Sequence, residues 1–145
     1  MNLESQGRRI LICDVDRTVL ELLQIRFDLA GCHTFVARTG PAALETIKTA
    51  RPAAIVLELN LPEMDGFDVL RALNPRGDGI HFPVLVMGKK LSAEDIQRAV
   101  KLGARDCLIK PFSGADMLER VARQFRRHAP ATPLPSAQVA RTAMV

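Results

Sequence analysis

Four ionisable side chains in this sequence stand where chemistry could happen: Asp14, Asp16, Glu58 and Lys110. Asp14 and Asp16 follow the apolar run Arg9 to Cys13. Glu58 follows Ala53 to Leu57, and Lys110 follows Asp106 to Ile109. Carboxylates and an ammonium at strand ends can hold a divalent cation, take part in phosphoryl transfer, or bind one another in a charge network. Each also has a plain structural role. Asp16 can cap the helix that follows it, and Lys110 before Pro111 can be a strand-end charge. Asp65 can cap the next helix, with Gly66 lending backbone freedom. Three carboxylates and one ammonium converging on one edge is more specific than any member alone, and packing does not require it.

The elements that must position them alternate in type. Arg9 to Cys13, Thr34 to Ala37, Ala53 to Leu57, Pro83 to Met87 and Asp106 to Ile109 read as short strands. Between them, apolar residues recur at helical spacing over Thr18 to Leu29, Ala42 to Ala50 and Phe67 to Leu73. Ser92-x-x-Asp95 and Ser113-x-x-Asp116 open two further helices as capping boxes, with Asp in place of Glu or Gln. Strands joined through helices pair in parallel by right-handed crossovers. Their non-alternating apolar character covers both sheet faces. The prediction is a doubly wound α/β domain with no internal repeat. The ends of the first and third strands meet where strand order reverses, which brings Asp14, Asp16 and Glu58 together with Lys110.

Length and composition fit one domain over residues 8–128, with an extension at 1–7 and an Ala/Pro-rich disordered tail or linker at 129–145. No apolar run reaches the roughly 20 residues of a membrane span, and the N-terminus lacks signal-peptide form, so a cytoplasmic location is expected. Cys13, Cys32 and Cys107 have no C-x-x-C spacing and read as reduced thiols. The net charge of +4 is weighted to Arg120, Arg123, Arg126, Arg127 and Arg141. Arg120, Arg123 and Arg127 share one helix face, a basic stripe suited to an acidic protein surface. With no Trp or Tyr for stacking and no recognised motif, nucleic acid is not an expected partner.

Three segments carry a family resemblance: Ile10-Leu11-Ile12-Cys13-Asp14, Leu59-Asn60-Leu61-Pro62-Glu63-Met64-Asp65-Gly66-Phe67 and Gly103-Ala104-Arg105-Asp106-Cys107-Leu108-Ile109-Lys110-Pro111-Phe112. In that order and spacing they resemble the response-regulator receiver domains of two-component signalling, over residues 8 to 127. The resemblance implies a flavodoxin-like sheet in order 2-1-3-4-5 with five helices and a cis Lys110–Pro111 bond. It also implies an aspartate at the end of the third strand that takes a phosphoryl group from a histidine kinase with magnesium. Partners, or a second copy in a homodimer, would meet the face of the fourth helix, fifth strand and fifth helix.

Carried over by position, the phosphoacceptor falls on Glu58, the second metal-site acid on Val15, the hydroxyl residue of the fourth strand on Gly88, and the mobile aromatic on Cys107. Asp14 and the backbone carbonyl of Asn60 remain as metal ligands, and Lys110 keeps its place. Glu58 extends about 1.5 Å further than an aspartate, and about 1 Å of misplacement can cost ~100-fold in phosphoryl transfer. Valine offers magnesium no oxygen, and glycine offers a phosphoryl group no hydroxyl. The expectation is a non-catalytic, phosphorylation-independent signalling module with no cofactor, magnesium binding weak or absent, and a kinase, regulator or output protein as partner. Two rivals stand beside it. One is a working receiver phosphorylated or metal-bound at a non-standard site. The other is a phosphatase resembling the haloacid-dehalogenase type, with Asp14 as nucleophile and Asp16 as acid/base in Asp14-Val15-Asp16-Arg17-Thr18.

Overall fold

A computed structural model describes residues 7–128. Its five strands, β1 (Arg9–Cys13), β2 (His33–Ala37), β3 (Ala54–Glu58), β4 (Val84–Gly88) and β5 (Asp106–Ile109), form one sheet in the order β2-β1-β3-β4-β5. All four pairings are parallel. Helices α1 (Arg17–Leu29), α2 (Gly40–Ala50), α3 (Gly66–Leu73) and α4 (Ala93–Lys101) make the four crossovers, and α5 (Gly114–His128) follows β5. The flavodoxin-like architecture is the expected one. The calls on the 129–145 tail, on Arg141 and on all but the last residue of the N-terminal extension lie outside the described residues.

Alternate strand residues feed two cores. Leu11, Ile55, Leu57 and Val86 pack with Ala43 of α2, Phe67, Val69 and Leu70 of α3 and Ala99 of α4. Ile10, Ile12, Val56, Leu85 and Met87 pack with Leu20, Leu23 and Phe27 of α1 and Met117, Val121 and Phe125 of α5. Both faces are covered, which is why the central strands β1, β3 and β4 are apolar over nearly all their length. No helix among the described residues is long and apolar enough to cross a membrane.

Several local expectations shift. β3 and β4 each run one residue later than read, so Glu58 is the last residue of its strand, paired with Met87, and Gly88 pairs with Ile109. Ser92 and Asp95 form a reciprocal capping box on α4. At α5 the Ser113 hydroxyl accepts from the Asp116 N–H at 2.9 Å, but the Asp116 carboxylate takes Arg120 one turn on. Gly66 is not at positive φ. A Cβ there would fall 2.7 Å from the Leu59 Cα and 2.8 Å from the Glu58 carbonyl oxygen. It is glycine because the loop folds back onto the strand end, not because the turn needs left-handed backbone.

Candidate functional site

The carboxyl ends of β1, β3 and β5 place three side chains together. Asp14 and Glu58 are 2% and 6% exposed. The Lys110 Nζ donates to Asp14 Oδ2 and to Glu58 Oε1, each at 2.6 Å. The second oxygen of each acid is also taken: Asp14 Oδ1 accepts from the Asp16 N–H at 3.0 Å, and Glu58 Oε2 from the Asn60 N–H at 2.9 Å. All four carboxylate oxygens therefore accept from nitrogen donors, and one ammonium is shared by two acids. Burial alone would lower the Lys110 pKa, but hydrogen bonds to Asp14 and Glu58 and their charges outweigh it and hold the pKa above the usual 10.5. Lys110 is therefore charged at neutral pH, and its hydrogen bonds close the cluster.

Asp16 does not join it. Its side chain is exposed and accepts from the Thr18 N–H at 2.9 Å, capping α1. The first-turn N–H groups of α1 are unsatisfied within the helix, and the Asp16 carboxylate meets one of them. Its contribution to Asp14 is a backbone N–H. Between them Val15 is 41% exposed, and its carbonyl accepts two bonds from Arg38, at 2.8 and 3.3 Å. Arg38 escaped the sequence reading. The signal was its place just past β2, the strand beside β1, with Cys13 paired to Ala37.

Gly88 is buried beside the cluster. A Cβ there would lie 3.0 Å from Leu91 Cδ2 and 3.4 Å from Glu58 Oε2. A side chain at 88 would thus abut Leu91 and the Glu58 carboxylate. Cys107 is half-buried, and burial together with the Asp106 charge pushes its thiol up to about 11, Arg120 opposing. The Cys13 thiol, at the end of β1, is pushed higher still by deeper burial and Asp14.

The cluster floors a cleft of about 790 Å³. Lys89, Lys90, Asp16 and Asn60 line it, with Leu61, Phe67 and Leu91 supplying apolar surface. Among the described residues no three His, Cys, Asp or Glu side chains group as metal ligands. With Lys110 on both acids and Val15 offering no side-chain oxygen, the Asp14 and Asn60 pair does not fit the six-oxygen shell that magnesium demands.

The basic stripe on α5 is not three equivalent cations. Arg120 pairs within its own chain, to Asp106 at 2.9 Å and Asp116 at 3.3 Å. Arg123 and Arg127 remain exposed. On its inner face, α5 buries Met117, Val121 and Phe125, with Leu118 partly buried against the same core.

Lys110–Pro111, immediately after β5, is cis. The response regulator receiver domain family matches residues 10–122. This chain belongs to that family. Response regulator MprA of Mycobacterium tuberculosis is 37% identical over 122 residues, covering 84% of this chain and 52% of that protein. MprA of Mycobacterium avium is 36% identical, covering 84% and 53%. The chain spans about half the length of these curated relatives. Among solved structures, a Francisella response regulator receiver domain superposes with a TM-score of 0.76 at 30% identity, covering 83% of this chain and 98% of that one. The chemotaxis response regulator CheY4 of Vibrio cholerae gives 0.74 at 25%, covering 81% and 98%. This receiver domain is therefore a module of two-component signalling. The phosphatase reading is not favoured, since the family match takes in both Asp14 and Lys110 and Asp16 is committed to its helix.

Proposed function

We propose that this receiver domain works without phosphorylation, as a non-catalytic protein-binding module whose pocket Glu58 locks in one arrangement. The observation that carries this reading is the shared ammonium, with Lys110 at 2.6 Å from both Glu58 and Asp14. Glu58 stands at the phosphoacceptor position, reaches Lys110 itself, and leaves no carboxylate oxygen without a nitrogen donor. Gly88 has no hydroxyl to clamp a phosphoryl group, and Cys107 no aromatic ring to report one. A switch needs two states with different interactions, and these residues support one. Magnesium binds weakly or not at all on this reading, and no other cofactor takes part.

Output then comes through protein contact. The α4–β5–α5 face, where Val100 and Ile109 are 53% and 52% exposed and Arg123 stands free of the Arg120 network, is assigned to a kinase, regulator or output protein. A second copy on that face is the alternative occupant. The test is partner affinity across wild type, Glu58→Asp, Glu58→Gln and Lys110→Ala. The lock predicts weakened binding in Lys110→Ala and Glu58→Gln. Equal affinity in all four contradicts it.

A further inference from the structure

Two backbone amides close the buried cluster, and each belongs to a peptide unit held at both ends. On the β3 side, the Asn60 N–H donates to Glu58 Oε2 at 2.9 Å. The carbonyl of the same unit, that of Leu59, accepts from the Gly66 N–H at 2.8 Å. On the β1 side, the Asp16 N–H donates to Asp14 Oδ1 at 3.0 Å. The carbonyl of that unit, that of Val15, accepts from Arg38 Nη2 at 2.8 Å and Nε at 3.3 Å. Both acids thus take an N–H from two residues further along the chain. What holds the far end differs: backbone at Leu59, a side chain at Val15.

A peptide unit is planar, and in the trans form its C=O and N–H point in opposite directions. The Val15–Asp16 unit is trans. It lies between a guanidinium at its oxygen and a carboxylate at its hydrogen, so its dipole runs favourably between the two charges. Hydrogen bonds in such a chain strengthen one another. The bond to Asp14 Oδ1 in turn fixes which way the carboxylate faces, and Oδ2 is the oxygen that meets the Lys110 ammonium at 2.6 Å. The fold puts Arg38 in reach. Cys13 pairs with Ala37 in the parallel ladder, and the Asp14 N–H continues it onto the Ala37 carbonyl at 3.1 Å. Arg38 comes next, and Thr39 beyond it caps α2 through the Ala42 N–H. The backbone at Arg38 is thereby fixed on both sides, while the residue itself is exposed.

We propose that Arg38 is a positioning residue of the cluster. By holding the Val15–Asp16 unit it keeps Asp14 turned towards Lys110, as the Gly66 N–H does for Glu58 through Asn60. A charge on the surface thus orders a buried lysine without touching it. Arg38 has this role whether or not Glu58 has taken the place of phosphorylation.

Hydrogen exchange of the full chain, followed residue by residue by NMR, tests it. In Arg38→Ala the Asp16 amide should exchange about tenfold faster than in wild type, the low end of what one hydrogen bond to a charged group is worth. The Asn60 amide, whose unit is held by Gly66, should keep its wild-type rate. The Lys110 ammonium protons should exchange with water faster in the same variant. Thr39→Ala removes the neighbouring cap without touching Val15, and should leave Asp16 and Lys110 as in wild type. Arg38→Met keeps the stem without the donors and reads the same way if the alanine variant misfolds. An unchanged Asp16 rate overturns the proposal, and so does an unchanged Lys110 rate. Asp16 and Asn60 rates raised alike, as a general loosening would raise them, also overturn it, as does a Thr39→Ala protein that matches Arg38→Ala.

Discussion

Lys110 with Asp14 and Glu58, and Arg120 with Asp106 and Asp116, are the same assembly in two environments: one cation between two carboxylates. In the first, the side chains are 10%, 3% and 8% exposed. In the second they are 32%, 19% and 47%. Charge arithmetic is identical, so any difference in consequence comes from solvent. Water screens the Arg120 group and can replace any partner that is lost. Nothing replaces a partner in the Lys110 group, where an unpaired charge would stay buried. The first triad can therefore fix a pocket, while the second only trims a surface.

Removing the two cations separates these cases most strongly. Lys110→Ala leaves Asp14 and Glu58 facing each other without a counter-charge and should cost about 3–5 kcal/mol in urea denaturation at neutral pH. Glu58→Gln keeps the size and one acceptor but drops a charge, and should cost about 1–3 kcal/mol. Arg120→Ala should cost no more than about 1 kcal/mol, and less again in molar salt. Equal losses for Lys110→Ala and Arg120→Ala would break the comparison.

The wild-type alkaline limb sharpens it. The folded pKa of Lys110 is raised, so its contribution is complete below the unfolded value near 10.5 and is lost as pH rises through the higher folded value. Stability from the buried triad should persist to at least pH 10. The smallest effect belongs to Cys107. Its thiol is pushed up to about 11, so native-state alkylation by iodoacetamide should climb towards pH 11, where an ordinary thiol would level off near 9. A plateau by pH 9 contradicts that placement.

The convergence of Asp14, Glu58 and Lys110 was legible in the sequence because apolar runs fix the strands and crossovers fix their handedness. What stayed hidden depended on contacts between elements or on local competition. Asp16 has two acceptable partners, and only geometry shows that the α1 N–H groups take it. Spacing placed Arg120 on a face with Arg123 and Arg127, but not against Asp106 from β5. Arg38 matters only because β2 lies beside β1. The role of Gly66 depends on a loop folding back over Leu59, which no local signal states.

The central claim is that Glu58 holds Lys110 in place of a phosphorylated aspartate. It is tested most directly by incubating the full chain with acetyl phosphate and magnesium and measuring intact mass, with a phosphorylatable receiver as positive control. The account predicts no phosphoryl adduct on the wild-type chain. A stoichiometric adduct lost in Glu58→Gln would contradict it.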